Sequence, residues 1–221
     1  SNYKITRNEL SGRDFSTKFS VWLSQGFISA RQLYKKLKRY ESTRGANDST
    51  YWIFFELLWR DYFRFLHFKY GENLYFKYGL KNSKINRIDH EMTLEKLECG
   101  ETHSSFMNAA IRELMQSGFL SNRMRQIVAS YLIYELDCDW RAGAAWFESQ
   151  LIDYDVYSNQ GNWAYIAGLG TDPQPWSGRG GSGLAAAPAQ ALPQDAGHQD
   201  RRYVEHRQRA VRRRHHSRPV P

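Results

Sequence analysis

Residues 50–68 repeat large aromatic and aliphatic side chains at the spacing of an α-helix. The stripe consists of Trp52, Phe55, Trp59, Phe63 and Leu66. Glu56, Arg60 and Arg64 recur every four residues beside it. Side chains three and four positions apart share one face of a helix, so this pattern places an apolar stripe and a charged row on the same element. The segment therefore predicts a long helix that packs against a core.

The rest of the aromatic-rich sequence is also helical in pattern. Ser29 precedes Leu33, Leu37 and Tyr40 and is typical of a helix N-cap. Further helices are predicted at 109–116, ending at Gly118, at 122–136, starting from Ser121, and at 140–152. Residues 71–103 are predicted to form connections with short helical pieces. Because no alternating run of convincing strand length occurs, we predict an all-α helical bundle without internal repeats.

A change of composition near Gln174 divides the chain. Of its 33 aromatic residues, 31 precede this point, and a Gly/Ala/Pro-rich and then Arg-rich segment follows. Residues 176–221 carry +6 of the net charge of +8, so the high pI belongs mostly to this segment. We predict a helical domain at 1–174 and a disordered tail at 175–221. The tail has three interpretations: a basic arm that contacts phosphates, a disordered end without function, or an out-of-frame or artificial end.

The two cysteines do not form a recognisable chemical pattern. Cys99 and Cys138 are too few for a disulfide framework or a metal-ligand set, so we expect idle thiols and no metal site. We see no signal peptide and no apolar run of about 18 residues. These features predict a soluble, intracellular monomer without a membrane partner, in a compartment that the sequence leaves undetermined.

Two groups of polar residues are candidate ligand contacts. The segment STKFS at 16–20 offers hydroxyls and a lysine ahead of a helix, which suits either a pyrophosphate or an ordinary helix cap. Another group lies within apolar helical patterns and consists of Arg60, Asn122, Arg125, Asp153 and Asp155. A buried charge costs several kcal/mol unless it is paired. This group indicates either internal ion pairs between helices or a ligand pocket.

Several motifs taken together resemble one family. They are STKFS (16–20), ELLWRDYFRF (56–65), SNRMRQIVAS (121–130), DWRAGAAWFE (139–148), DYDVYSNQGNW (153–163) and GLGTDP (168–173). Over residues 1–173 the chain resembles the flavin-binding half of photolyases and cryptochromes, most closely the DASH-type cryptochromes. The resemblance implies a helical FAD-binding domain. It also implies that an α/β domain, which helps to hold an antenna pigment such as a folate, precedes this segment in the family, so we expect a fragment whose antenna site is incomplete.

The resemblance also assigns residues to the cofactor. It implies that FAD contacts Tyr3, Ser16, Thr17, Lys18, Phe19, Ser20, Arg60, Asn122, Arg125, Asp153, Tyr154, Asp155 and Asn159. In the family, the STKFS stretch wraps the phosphates with the help of a tyrosine upstream. Asp153 and Asp155 would flank the ribose and the edge of the isoalloxazine, Arg125 would pair with an aspartate over the ring, and Asn159 would face N5.

A second set of residues is assigned to DNA. The resemblance implies that damaged or single-stranded DNA contacts Glu56, Trp59, Arg60, Tyr62, Asn122 and Arg123. Glu56 would hydrogen-bond a pyrimidine dimer and act in catalysis, and Trp59 would stack on a flipped base. The spacing of Trp59 alone is more typical of core packing on an amphipathic helix.

Electron transfer to the flavin is implied for Trp163 and Trp140, the inner two members of the family's tryptophan chain. The position of the outer tryptophan falls near Asn86–Arg87, where neither residue is aromatic. Photoreduction by the usual route is therefore expected to be slow or absent, unless Trp146, Tyr131 or Tyr134 replaces the missing ring. The family's Gly-Tyr-Pro turn is also lost in THSSFMNAAI at 102–111, and Leu97 stands where a tryptophan is expected. We expect these two changes to weaken the local structure.

The resemblance implies light-driven repair of cyclobutane pyrimidine dimers, preferentially in single-stranded DNA, which is a deoxyribodipyrimidine photo-lyase reaction if the chain is active. The alternative is a blue-light receptor without repair. A third possibility is a helical fragment that has no function.

Overall fold

The computed structural model describes residues 2–10, 12, 15–81 and 101–171, and the elements within them are helical. The eight α-helices are α1 (Tyr3–Thr6), α2 (Phe19–Ser24), α3 (Ala30–Arg44), α4 (Asp48–Tyr70), α5 (Ser105–Ser117), α6 (Asn122–Ser130), α7 (Trp140–Gln150) and α8 (Val156–Ile166). A 3₁₀ turn at Gly71–Tyr75 follows α4, and a π turn at Tyr131–Glu135 extends α6. The predicted all-α fold is confirmed for the described residues.

The long predicted helix is α4, and its ends follow from local chemistry. Asn47 caps it by accepting hydrogen bonds from the backbone amides of Ser49 (3.0 Å) and Thr50 (3.1 Å), and the Thr50 side chain returns a contact to the Asn47 amide. Gly71 ends the helix with a φ of 56°, which a residue without a Cβ adopts readily. The helix lies across the domain and contacts α1, α3 and α8.

The main core lies between α5, α6, α7 and α8. It buries Met107, Ile111, Leu114, Leu132, Ile133, Trp140, Trp146, Phe147 and Trp163, among others. Helix α8 was not predicted from periodicity, since its buried face includes the polar Asn159 and Gly161 lies in its middle. Close packing needs this glycine, because a Cβ at Gly161 would overlap the ring of Phe63. Gly143 on α7 likewise leaves room for the indole of Trp163.

The remaining local predictions are largely confirmed. Ser29 caps α3 in a reciprocal arrangement with Gln32, and Gly118 ends α5 with a φ of 65°. Leu33 and Leu37 are buried on α3, whereas Tyr40, at the same helical spacing, is 45% exposed. Helix α5 begins at Ser105, four residues before the predicted start. No helix in the described part of the chain is long and apolar enough to cross a membrane.

Some predictions fall outside the described residues. The proposed boundary at 174 and the tail at 175–221 are among them, so the domain division stays a prediction. The positions near Asn86–Arg87, Leu97 and Cys99 also lie outside the described residues. Cys138 is buried and forms no disulfide within the described ranges.

Candidate functional site

A cavity of about 270 Å³ opens where α2, α4, α6, α7 and α8 meet. Its apolar walls include Phe19, Leu57, Trp59, Phe63, Phe147, Leu151 and Trp163. Its polar lining includes Ser20, Glu56, Arg60, Asn122, Arg125, Gln126, Asp153, Tyr154, Asp155, Ser158, Asn159 and Asn162. The structure therefore gathers most of the sequence-predicted polar residues, which are up to about 140 positions apart in the chain, around one hollow.

Asp155 links α8 to α4 at the wall of this cavity. Its carboxylate caps α8 by accepting from the Ser158 amide at 3.0 Å and forms an ion pair with Arg60. Arg60 also donates to the carbonyl of Leu23 at 3.3 Å, which ties α2 to the same point. Burial by itself raises the pKa of Asp155, but the hydrogen bonds from Ser158 and Arg60 outweigh it, and the pKa is lowered. Asp155 is thus held as a carboxylate.

Asp153 forms the second ion pair, with Arg125. One terminal nitrogen of Arg125 lies 3.0 Å from each carboxylate oxygen, and the Arg125 Nε donates to the carbonyl of Leu120 at 2.9 Å. The Asp153 side chain is only 2% exposed. The sequence left open whether these polar residues pair with one another or line a pocket, and the structure shows that they do both.

Asn159 is a buried amide on the α8 side of the cavity. Its Nδ2 donates to the carbonyl of Ala144 on α7 at 3.0 Å, which leaves Oδ1 as an acceptor. One turn later, Trp163 also lines the cavity and packs edge-on against Phe147, with 5.0 Å between ring centroids. Trp140 belongs to the same buried core, is 2% exposed and donates its Nε1 hydrogen to the carbonyl of Lys77 at 3.2 Å.

Glu56 projects into the cavity from α4 and forms an ion pair with Arg7. The Arg7 guanidinium lies 4.3 Å from the ring centroid of Trp52, and its side chain is 8% exposed. Burial raises the pKa of Glu56, and the charge and hydrogen bond of Arg7 only partly oppose this. The Glu56 side chain is 37% exposed because it faces the hollow.

Arg7 was missed by the sequence analysis, although it lies four residues after Tyr3, a spacing that puts both on one helical face. Tyr3 does not line the cavity. Burial and the nearby Glu56 carboxylate raise its pKa.

The residues predicted to contact DNA divide into two groups. Trp59 lines the cavity and packs edge-on against Phe55 and Tyr62, at 6.1 and 5.4 Å between centroids. Tyr62 stands outside the lining, and its hydroxyl contacts Thr171 Oγ1 at 2.7 Å. Arg123 is half-buried and outside the lining; burial and the charge of Arg7 lower its pKa. Arg123 is therefore near Arg7, the residue that pairs with Glu56.

The STKFS segment is only partly at the cavity. Phe19 and Ser20 line it, whereas Ser16, Thr17 and Lys18 do not. Lys18 has a φ of 58°, an uncommon value for a residue with a Cβ, and its Nζ lies 4.1 Å from the ring centroid of Phe119. Arg125 approaches the same ring at 5.6 Å. Phe119, which no sequence motif indicated, therefore connects the two cations.

The segment that departs from the family pattern makes its own local structure. Asn108 Oδ1 accepts from the Thr102 amide and hydroxyl, each at 2.7 Å, and its Nδ2 donates to the Thr102 carbonyl at 3.0 Å. Ser104 then caps α5. Within the described ranges, no group of three His, Cys, Asp or Glu side chains is placed to hold a metal ion.

The geometry suits a flat, polar, ring-containing ligand. Aromatic walls offer surfaces for stacking, the paired carboxylates accept from hydroxyl or ring N–H groups, and the guanidiniums of Arg60 and Arg125 donate to oxygen. The volume is just below the ~300–1000 Å³ that small-molecule pockets span.

Comparison with known proteins agrees with this geometry. Residues 52–209 match the family model described as the FAD binding domain of DNA photolyase. The chain is 51% identical over 173 residues to cryptochrome DASH of Xenopus laevis, covering 78% of this chain and 33% of that protein. It is 50% identical over 174 residues to cryptochrome DASH of Vibrio parahaemolyticus, covering 79% and 39%. The chain thus spans about a third of the length of the curated relatives it matches.

Solved structures are similar over the same region. A cryptochrome from Synechocystis sp. superposes with a TM-score of 0.74 at 51% identity, over 77% of this chain and 35% of that one. A bacterial class III photolyase from Agrobacterium tumefaciens superposes with a TM-score of 0.70 at 30% identity, over 79% and 36%.

Proposed function

The chain belongs to the family of FAD-binding domains of DNA photolyases, and on this premise we propose that it serves light-driven repair of cyclobutane pyrimidine dimers, preferentially in single-stranded DNA. Its similarity to cryptochrome DASH proteins at about 50% identity supports this choice within the family. The chain spans about a third of the length of these relatives, so the repair activity is proposed for it and not taken over from them.

The residues around the cavity fit FAD. An isoalloxazine needs a flat apolar slot with a few directed polar contacts, and Phe147 and Trp163 lie beside the Asn159 amide. Ribose hydroxyls and ring N–H groups need hydrogen-bond acceptors, and the carboxylates of Asp153 and Asp155 are each paired with an arginine at the cavity. The phosphates need donors, for which the Ser20 hydroxyl lines the cavity; Ser16 and Thr17 precede it in the chain but lie outside the lining.

Three residues orient the ring. We assign the Asn159 side chain to N5, because the bond from its Nδ2 to Ala144 fixes the amide plane and presents Oδ1. Asp155, capping α8 and paired with Arg60, would hold the ring edge without reorganisation. Asp153, paired with Arg125, would do the same from the preceding loop.

Glu56 and Trp59 form the proposed substrate side. One turn of α4 separates them, and both line the cavity. A dimer flipped out of the strand would stack on Trp59 and accept or donate hydrogen bonds at Glu56. Taking a base out of a duplex costs a few kcal/mol, so a single strand is the easier substrate.

Reduced FAD, when bound, supplies one electron on excitation and recovers it after the dimer has split, so the reaction has no net redox change. The apolar walls exclude water, and burial raises the pKa of Glu56 against the opposing charge and hydrogen bond of Arg7. Trp163 and Trp140 are the proposed internal electron donors that restore the reduced state.

The observation that carries the proposal is the convergence of Asp153, Asp155 and Asn159 on one cavity. The first test is reconstitution of the purified chain with FAD. We expect a yellow protein that absorbs blue light, and a folded chain that stays colourless would contradict both cofactor binding and repair.

The second test is repair of an oligonucleotide containing a thymine dimer under blue light. We expect faster repair in single than in double strands, and loss of repair with flavin retained in Glu56→Ala. Glu72→Ala, on the exposed 3₁₀ turn, is the matched control and should repair normally. A protein that binds flavin and responds to light but leaves dimers intact would instead support the blue-light receptor.

A further inference from the structure

Tyr75 and His67 form a hydrogen-bonded pair outside the cavity. The Tyr75 hydroxyl lies 2.7 Å from His67 Nδ1, and the two ring centroids are 5.6 Å apart. His67 is in the last turn of α4, and Tyr75 ends the 3₁₀ turn that follows. The phenol is the donor in this bond when the imidazole is neutral, with its own hydrogen on Nε2.

A hydrogen bond joins Trp140 to the backbone shortly after this pair. Trp140 donates its Nε1 hydrogen to the carbonyl of Lys77, only two residues after Tyr75, at 3.2 Å. One hydrogen bond and a short stretch of backbone therefore connect the indole to the phenol. On the other side, Tyr154 lines the cavity and lies close enough to Tyr75 for their charges to interact.

The chemistry of a phenol explains why the imidazole matters. Burial, and then the neighbouring Tyr157, raise the pKa of Tyr75, so it is a neutral phenol at physiological pH. An oxidised phenol is a far stronger acid than the phenol itself, so losing an electron is easiest when a base takes the proton at the same moment. His67 is that base, already in contact.

We propose that Tyr75 is a terminal electron donor to the tryptophan chain and that His67 is its proton acceptor, an inference that rests on the proposed photochemistry. In this step an oxidised indole radical cation at Trp140 gains one electron and becomes neutral tryptophan. Tyr75 loses that electron and its hydroxyl proton, becoming a neutral tyrosyl radical. The proton moves along the existing hydrogen bond to His67 Nδ1, forming imidazolium.

The pair is better suited to this role than Trp146. Trp146 contacts Trp163 through Phe147, with centroids 5.6 and 5.0 Å apart in turn. However, its buried Nε1 hydrogen has no hydrogen-bond partner among the described residues, so its oxidation would leave a proton without an acceptor. Tyr134 donates to the Ile166 carbonyl at 2.6 Å, and a carbonyl is not a useful base.

The test compares the radicals that light produces in the FAD-loaded chain and in three variants. Tyr75→Phe removes the donor, whereas His67→Gln keeps a hydrogen-bond acceptor but removes the base. Tyr157→Phe is the matched control, because the ring of Tyr157 packs on the same imidazole with 5.0 Å between centroids, and phenylalanine keeps that ring contact. Circular dichroism melting establishes that each variant is folded.

We expect electron paramagnetic resonance to detect a tyrosyl radical in the parent chain and in Tyr157→Phe, formed more slowly in D₂O. The signal should be lost in Tyr75→Phe and in His67→Gln, leaving only tryptophan radicals. An unchanged tyrosyl signal in either of these two variants, or its loss in a Trp146→Phe variant instead, overturns the proposal.

A second arm separates this inference from the proposed function. In protein without FAD, an intense light flash at the red edge of the indole absorption, where tyrosine does not absorb, ionises the buried indoles directly. The tyrosyl radical signal is again expected to be lost in Tyr75→Phe and His67→Gln, because this arm needs no flavin. Equal tyrosyl yields in all variants would overturn the electron-donor role, whereas failure of the FAD-loaded arm alone would count only against the proposed photochemistry.

Discussion

The guanidinium of Arg7 lies against the carboxylate of Glu56, although 49 residues separate them in the chain. Arg7 also stacks over Trp52 and is nearly buried, so its charge has been removed from water and depends on Glu56 for compensation. Glu56 in turn points into the cavity. This ion pair decides which protonation state the proposed substrate contact presents.

Arg7→Met is expected to raise the pKa of Glu56 further. Burial already raises it, and the variant removes the charge and hydrogen bond that oppose burial while keeping an apolar side chain on Trp52. Glu56 will then be protonated over a wider pH range, which carboxyl ¹³C NMR titration measures. Lys4→Met, which breaks the exposed pair with Asp48 on the same short helix, should leave Glu56 unaffected. A lower or unchanged pKa in Arg7→Met would contradict this account.

Gly143→Ala is expected to destabilise the chain by about 1–3 kcal/mol, because the added Cβ overlaps the Trp163 indole and forces it to move. Denaturant unfolding measures this cost, and FAD affinity should fall with it. The smaller ring of Trp163→Phe should relieve the overlap. The cost of Gly143→Ala is therefore expected to shrink in that background, and strict additivity of the two changes would show that the contact is not the cause.

Asp155→Asn is expected to reduce stability at neutral pH by about 1.5–3 kcal/mol, the usual value of a hydrogen bond to a charged group. Asparagine still caps α8, so the loss reflects the ion pair with Arg60. Because folding lowers the pKa of Asp155, its contribution is full above the unfolded value near ~3.9 and disappears as pH falls through the folded pKa.

The stability gap between the parent chain and Asp155→Asn should therefore close in acid, as followed by urea unfolding between neutral pH and pH values below the unfolded pKa. Asp139 also has a lowered pKa, but it is present in both proteins and cancels in the difference. A gap that stays constant with pH would mean that the ion pair contributes nothing.

Asn159→Asp is expected to weaken FAD binding and folding together. The new carboxylate would face the Ala144 carbonyl at 3.0 Å without a hydrogen to donate, and an unsatisfied buried group costs about 1–3 kcal/mol. Asn73→Asp is the control for the same chemical change, since its side chain is exposed and outside the cavity lining. Fluorescence titration with FAD compares the two, and equal losses would argue against a directed role for Asn159.

Local structure was largely predictable from the sequence because it depends on near neighbours. Helix α4 follows from the period of its aromatic stripe, and the caps at Ser29, Ser121 and Gly118 follow from single residues. Helix α8 was not predicted from the sequence, since Asn159 and Gly161 interrupt its apolar face. Contacts with other helices explain both residues. Asn159 donates a hydrogen bond to the Ala144 carbonyl on α7, and Gly161 leaves room for the ring of Phe63 on α4.

The sequence by itself determined the helical class, the family and the identity of the polar residues, because periodicity, capping and motif spacing are written along the chain. Only the tertiary structure decided the partners. Arg60 meets Asp155 across 95 residues, Arg7 meets Glu56, and Lys18 and Arg125 share the ring of Phe119. Such pairings depend on how whole helices pack against one another, and no short-range rule encodes which of several cations reaches a given carboxylate.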